Sequence, residues 1–231
     1  MSNEFLNFIN MRKRTFVFGD IHGCYLTFKS LFEQCDIAKS DAIYLLGDYI
    51  DRGPAIKETL DYIFNLIDDG YELYPLRGNH EQIFLNSINS QMDEYYWLTM
   101  NGGDKTLASF EVSHSAEIPA KYRNWISSLP FYYELDNYVI VHAGLNFHLE
   151  DPFEDKDAML WTRDRYYDES KLDKKIIVGH TPTPLKLIEK SINQNIILLD
   201  GGCVYKDNPG LGNLCVLELS NMQLFTQDYI G

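Results

Sequence analysis

Five apolar runs in this chain lead into a glycine flanked by residues that can hold a metal or move a proton. They are FVFGDIHG, YLLGDYIDRG, PLRGNHE, VIVHAG and IIVGHTPT, and together they supply Asp20, His22, Asp48, Asn79, His142 and His180. Four of the six histidines fall inside these stretches (His22, His80, His142, His180); His114 and His148 lie in ordinary polar loop context and carry no assigned role. Burying such groups at the mouth of a strand is costly unless something satisfies them. Carboxylate, amide and imidazole in one set suit an octahedral divalent metal such as manganese or iron, not structural zinc, which favours thiolates. Six ligands are too many for one ion that must also meet a substrate. They fit two ions sharing one carboxylate, with positions left for water.

The elements that would position these residues follow from periodicity. RTFVFGD reads as a first strand, followed by Phe28, Leu31, Phe32 and Cys35 on one helical face. DAIYLLGD is a second strand, and Ile56, Leu60, Ile63, Phe64 and Ile67 form a second helical stripe. YELYPLRGN is a third, with the run Leu73 to Leu76 expected to be buried. Strand–helix–strand alternation implies a largely parallel sheet, and loops at the carboxyl ends of such strands build ligand sites. Residues from about His80 to Leu129 read as mostly helical, broken at Asn101–Asp104. FYYELDNYVIVHAG then reads as a hairpin turning at Asp136–Asn137. KIIVGHT, NIILLDGG, NLCVLEL and MQLFTQD follow as short strands, the last two joined at Ser220–Asn221. The expected fold is a single α/β domain over 14–231, a sandwich of two mixed sheets flanked by helices, with 1–13 as an N-terminal extension.

The 231 residues are enough for one substantial core, and 45% hydrophobic residues make the composition an ordinary globular one. A formal charge of −14 disfavours nucleic acid as a partner, whose affinity comes mostly from Lys and Arg on phosphates. No apolar run approaches membrane-spanning length and the N-terminus lacks signal-peptide order, so a membrane partner is not expected and a cytoplasmic location is. Cys24, Cys35, Cys203 and Cys215 form no Cys-x-x-Cys motif and read as buried thiols.

GDIHG, GDYIDRG, GNHE, HAG and GHTP, in that order, resemble the calcineurin-like metallophosphoesterases, and within them the small bacterial and phage type of phosphoprotein phosphatase. The resemblance runs from about Arg14 to Leu219. It implies one metal on Asp20, His22 and His180, a second on Asn79 and His142, and Asp48 bridging them. Manganese is the expected ion, with iron, zinc, nickel and magnesium as alternatives. A water shared by the two metals would attack phosphorus directly, with no phosphoenzyme. His80 would protonate the leaving oxygen, with Asp51 holding its imidazole in the right tautomer. Arg52 would clamp the phosphoryl oxygens, and LWTRDRYY supplies a second clamp, Arg163 in preference to Arg165. Glu81 is left between a supporting role and placement of charge at a helix N-terminus.

The expected substrate is a phosphorylated protein, on serine or threonine and also tyrosine, or a small phosphate ester. The alternative is a symmetrical dinucleoside polyphosphate such as diadenosine tetraphosphate. Relatives of that kind tend to lack an acidic residue at the position of Asp51, so the intact Asp-Arg-Gly favours the protein phosphatase. An inactive binding module is the remote alternative. Tyr95, Tyr96 and Trp97 are either core aromatics or a substrate platform.

Overall fold

A computed structural model describes residues 13–231, so the proposed extension at 1–13 falls almost wholly outside the described residues. Strands β1 (Thr15–Phe18), β2 (Ala42–Leu45) and β3 (Glu72–Pro75) alternate with helices α1 (Tyr25–Gln34) and α2 (Ile56–Asp68). Four helices follow, α3 (Asn79–Ser87), α4 (Gln91–Met100), α5 (Gly103–Phe110) and α6 (Ala120–Ser128). The second half comprises β4 (Tyr132–Glu134), β5 (Tyr138–Val141), α7 (Lys156–Trp161), β6 (Lys175–Val178), α8 (Leu185–Ser191) and strands β7 (Ile196–Leu198), β8 (Asn213–Glu218) and β9 (Gln223–Asp228). Helices α7 and α8 were not anticipated from sequence. Both are short, at 6 and 7 residues, too short to display a helical stripe.

The strands form two mixed sheets, ordered β3-β2-β1-β8-β9 and β4-β5-β6-β7. β1, β2 and β3 are mutually parallel, as are β5, β6 and β7, while β8, β9 and β4 pair antiparallel. Alternation of side chains fixes how the layers stack. Val17, Ile140, Ile177, Ile197, Cys215 and Leu217 from both sheets share one cluster between them. Their neighbours Phe16, Phe18, Ile43 and Leu45 point the other way, onto Phe28, Leu31, Ile56 and Leu60 of α1 and α2. Val139, Val141, Ile176 and Val178 face outward onto Met159 of α7 and the loop residues Leu145 and Phe147. Strands covered on both faces read as continuous apolar runs, which is why they stood out in the sequence.

Two expectations need correction. β3 is an edge strand and only half-buried; of Leu73–Leu76, Leu76 alone is fully enclosed, because the edge position leaves one flank of the strand to solvent. On α2 the stripe continues through Leu66, and Ile67 is 39% exposed, because the helix turns the later position outward. All four cysteines are free and buried, as expected.

Candidate active site

The parallel strands run the same way, so their carboxyl ends deliver the five motifs to one edge of the sandwich. Several ligand-type residues hold left-handed backbone angles there: His22 (φ 46°), Asp48 (52°), Asp51 (68°), Arg52 (68°) and His180 (65°). Such angles are uncommon for residues with a Cβ and cluster at functional sites. Glu81 in the first turn of α3 holds two of the loops together. Its carboxylate accepts from the backbone N–H of Asp48 (2.8 Å), Tyr49 (2.9 Å) and Gly78 (2.9 Å). Both readings of Glu81 therefore describe one device, a capping carboxylate that also fixes the Asp48 loop. Gly78 is required by close approach, since a Cβ there would lie 2.1 Å from Asp48 Oδ1.

Asp48 is the centre of the site and only 2% exposed. Its Oδ2 lies 3.5 Å from His22 Nε2 and its Oδ1 lies 3.6 Å from His142 Nε2, one oxygen towards each side. Donor atoms of His22, Asp48 and His80 converge on one side, and those of Asp48, His142 and His180 on the other. His22 Nδ1 is 2.9 Å from the Ile50 carbonyl and His142 Nδ1 is 2.9 Å from the Leu46 carbonyl, so Nδ1 carries the proton and Nε2 the lone pair. Burial pushes the His22 and His180 imidazoles down to about 3 and lowers His142, so all three stand neutral, the form that binds metal. Burial alone would raise the Asp48 carboxyl; the surrounding His142, His80 and His22 imidazoles and the hydrogen bond from the His80 N–H instead lower it.

The donor set fits cations. Asn79 Oδ1 lies 2.9 Å from His142 Nε2 and 2.8 Å from His180 Nδ1. With Nδ1 of His142 protonated, two lone pairs converge at that distance, an arrangement that a cation held by both atoms would relieve. Asp20 Oδ1 and His180 Nε2 are buried with no hydrogen-bond partner. One detail departs from the expectation. The His180 imidazole groups with Asn79 and His142 rather than with Asp20 and His22; only its backbone N–H reaches Asp20, at 2.9 Å from Oδ2. The left-handed turn at His180 separates backbone from side chain in this way, which motif order does not reveal.

His80 is buried and its Nδ1 sits 2.7 Å from Asp51 Oδ2. Burial lowers its pKa, but the Asp48 charge and the Asp51 hydrogen bond outweigh that and leave it raised. A cleft of about 150 Å³ opens over these groups, lined by Arg52, Arg163, His80, Asn101, Trp161 and Tyr205 among others. Arg52 Nη1 is 2.9 Å from His22 Nε2, and its guanidinium lies 5.6 Å from the Tyr205 ring. Arg163 faces this cleft. Arg165 turns away, donating to the Ala143 carbonyl and Thr181 Oγ1. Larger hollows, of 360 and 380 Å³, lie elsewhere and hold none of the ligand-type residues.

The calcineurin-like phosphoesterase family profile matches residues 13–216, spanning every one of these motifs. The chain belongs to the calcineurin-like phosphoesterase family. The chain is 30% identical to a symmetrical bis(5'-nucleosyl)-tetraphosphatase of Vibrio campbellii, over 57% of its length and 45% of that relative. It is 27% identical to the asymmetrical bis(5'-nucleosyl)-tetraphosphatase PrpE of a Geobacillus species, over 82% of this chain and 85% of the relative. The match spans less than half the length of the symmetrical relatives. A serine/threonine phosphatase structure from Saccharomyces cerevisiae shares the fold with a TM-score of 0.64 at 17% identity, covering 94% of this chain and 80% of that one. The chain thus combines the family's motifs with two mixed sheets and two groups of residues that could hold a metal ion, and among its described residues no helix is long and apolar enough to cross a membrane.

Sequence reasoning missed Asp200 beside Asp20 and Asp48, and Trp161, Asn101 and Tyr205 of the cleft lining. Asp200, at the end of β7, is buried, and burial, with the Asp48 charge adding to it, pushes its carboxyl up to about 7. The Asp-Gly-Gly after NIILL obeys the rule that found the other five motifs and could have revealed it. Trp161, Asn101 and Tyr205 carry no such signal. Trp97 is core, and Tyr95 and Tyr96 are exposed but are not among the residues lining the cleft.

Proposed function

We propose that this chain hydrolyses phosphoryl bonds with two divalent cations, manganese first among the candidates. Asp20, His22 and Asp48 would hold one ion, and Asp48, Asn79, His142 and His180 the other. The observation that carries this reading is Asp48, buried between two sets of imidazoles with one carboxylate oxygen towards each. Two cations held there would supply an activated water and charge stabilisation for the entering and leaving oxygens of an in-line displacement. The chain's own residues do the rest. Arg52 and Arg163 grip the phosphoryl oxygens with planar, doubly donating guanidinium groups. His80 offers its Nε2 proton to the departing oxygen, while Asp51 keeps Nδ1 protonated and the ring in place. The two arginines concentrate positive charge locally in a chain that is acidic as a whole.

For the substrate, the relatives reverse the order that sequence motifs suggested. The first reading is a dinucleoside tetraphosphate, because curated relatives similar in sequence are named for that activity. The second is a phosphoserine or phosphothreonine protein, favoured by the Asp51–His80 pair. An alkoxide leaving group needs a proton in the transition state, whereas a nucleotide phosphate departs readily without one. The test is a panel of diadenosine tetraphosphate, phosphopeptides and nitrophenyl phosphate with the manganese-loaded protein. A higher kcat/KM on the tetraphosphate supports the first reading and a higher value on phosphopeptides supports the second. No turnover of any of the three by fully metallated protein would overturn the hydrolase reading.

A further inference from the structure

Asp51 is wholly enclosed, and its carboxylate meets donors from three different helices. His80 on α3 contributes Nδ1 at 2.7 Å from Oδ2. Trp97 on α4 donates its indole Nε1–H to both oxygens, at 3.0 and 2.9 Å. Thr106 on α5 donates its hydroxyl to Oδ1 at 2.6 Å. The threonine's orientation is determined, because the same hydroxyl accepts the Asp51 backbone N–H at 3.0 Å, leaving its own proton for the carboxylate. Trp97 and Thr106 are both essentially inaccessible to solvent.

The link between the two helices is shaped to make this possible. A Cβ at Gly103 would fall 2.3 Å from the Trp97 ring, so only glycine lets α5 close onto the indole. The neighbouring Gly102 carbonyl accepts the Arg52 N–H at 3.2 Å. Asp51 and Arg52 are consecutive residues with φ of 68°, a strained pair that persists only if its surroundings over-determine it. The Trp-x3-Asn-Gly-Gly-x2-Thr spacing from Trp97 to Thr106 thus packs two helices around the pair. A tryptophan needed only for packing would not have to aim its N–H at a carboxylate, and a threonine needed only for helix packing would not need its hydroxyl there.

We propose that Trp97 and Thr106 are positioning residues for proton delivery. By occupying the other lone pairs of Asp51 they stop its carboxylate rotating, which holds Oδ2 on His80 Nδ1 and leaves His80 Nε2 turned to the cleft. The proposal rests on His80 being the acid, and the experiment separates the two. Trp97→Phe removes the indole N–H and keeps an aromatic ring. Thr106→Val removes the hydroxyl and keeps the shape, while Thr106→Ser keeps the hydroxyl. Each variant, with His80→Asn alongside, is loaded with manganese, checked for metal content, and assayed on phenyl phosphate and nitrophenyl phosphate.

Trp97→Phe and Thr106→Val are expected to lose roughly tenfold in kcat on phenyl phosphate, as such supporting contacts typically do, and far less on nitrophenyl phosphate, with KM and metal content unchanged. Thr106→Ser should recover most of the loss, and Trp97→Phe should add little in a His80→Asn background. Equal losses on the two substrates, or full additivity with His80→Asn, would overturn the positioning role while leaving the acid role intact. A His80→Asn enzyme indifferent to the leaving group would overturn both. If Trp97→Phe melts below the assay temperature, the Thr106→Val and Thr106→Ser pair reads the same quantity.

Discussion

Replacing Glu81 by glutamine tests whether one carboxylate holds the metal loops in place. Oε2 accepts from the backbone N–H of Asp48 and Gly78, and Oε1 from Tyr49, with a weaker contact to Ile50 at 3.4 Å. Burial and the Asp48 charge push the Glu81 carboxyl up to about 7, yet only N–H donors face it, so the anion is the form the site accommodates. Glutamine does best by keeping its oxygen towards Asp48 and Gly78. Its NH2 then confronts the Tyr49 N–H, donor against donor. The loss is one charge-assisted bond plus the weakening of two others to neutral strength, together about 3–5 kcal/mol. For a domain of this size, that is roughly 6–20 °C in melting temperature. Differential scanning calorimetry in chelator measures it, and elemental analysis after manganese loading should find fewer than two ions per chain. A shift below about 3 °C with both ions retained would refute the assignment of Glu81 as the tie between the loops.

Asp48→Asn should lose more activity and more metal than any other single ligand substitution, because it alone faces both imidazole groups; retention of two ions on elemental analysis would contradict this. Arg163→Ala should lower kcat/KM by roughly ten- to a hundredfold at unchanged melting temperature, the usual worth of a charge-assisted clamp. Arg165→Ala should do the reverse, costing stability through its bonds to Ala143 and Thr181 and sparing turnover, and kinetics with calorimetry on the pair distinguish them. Chelation should lower the melting temperature and manganese restore it, since Asp20 Oδ1 and His180 Nε2 are otherwise buried without partners; a metal-independent melting curve would count against the dinuclear site.

What the sequence determined by itself was the set of ligand-type residues and the strands that carry them. Strand ends are local: an apolar run followed by glycine and a polar residue is legible without knowing what lies opposite, and parallel order then brings such ends to one edge. The hairpin at Asp136–Asn137 and the broken helical stretch at Asn101–Asp104 were readable for the same reason, their turn residues being adjacent in the chain. Tertiary structure alone decided the partnerships. That Glu81 ties β2's loop to β3's, that the His180 ring turns to Asn79 rather than Asp20, and that Arg163 faces the cleft while Arg165 turns away depend on directions set by left-handed backbone angles and packing between distant segments. Trp97 shows the limit most clearly. Its type says only large and apolar, and its hydrogen bond to a carboxylate 46 residues earlier exists because two glycines let a pair of helices close around Asp51.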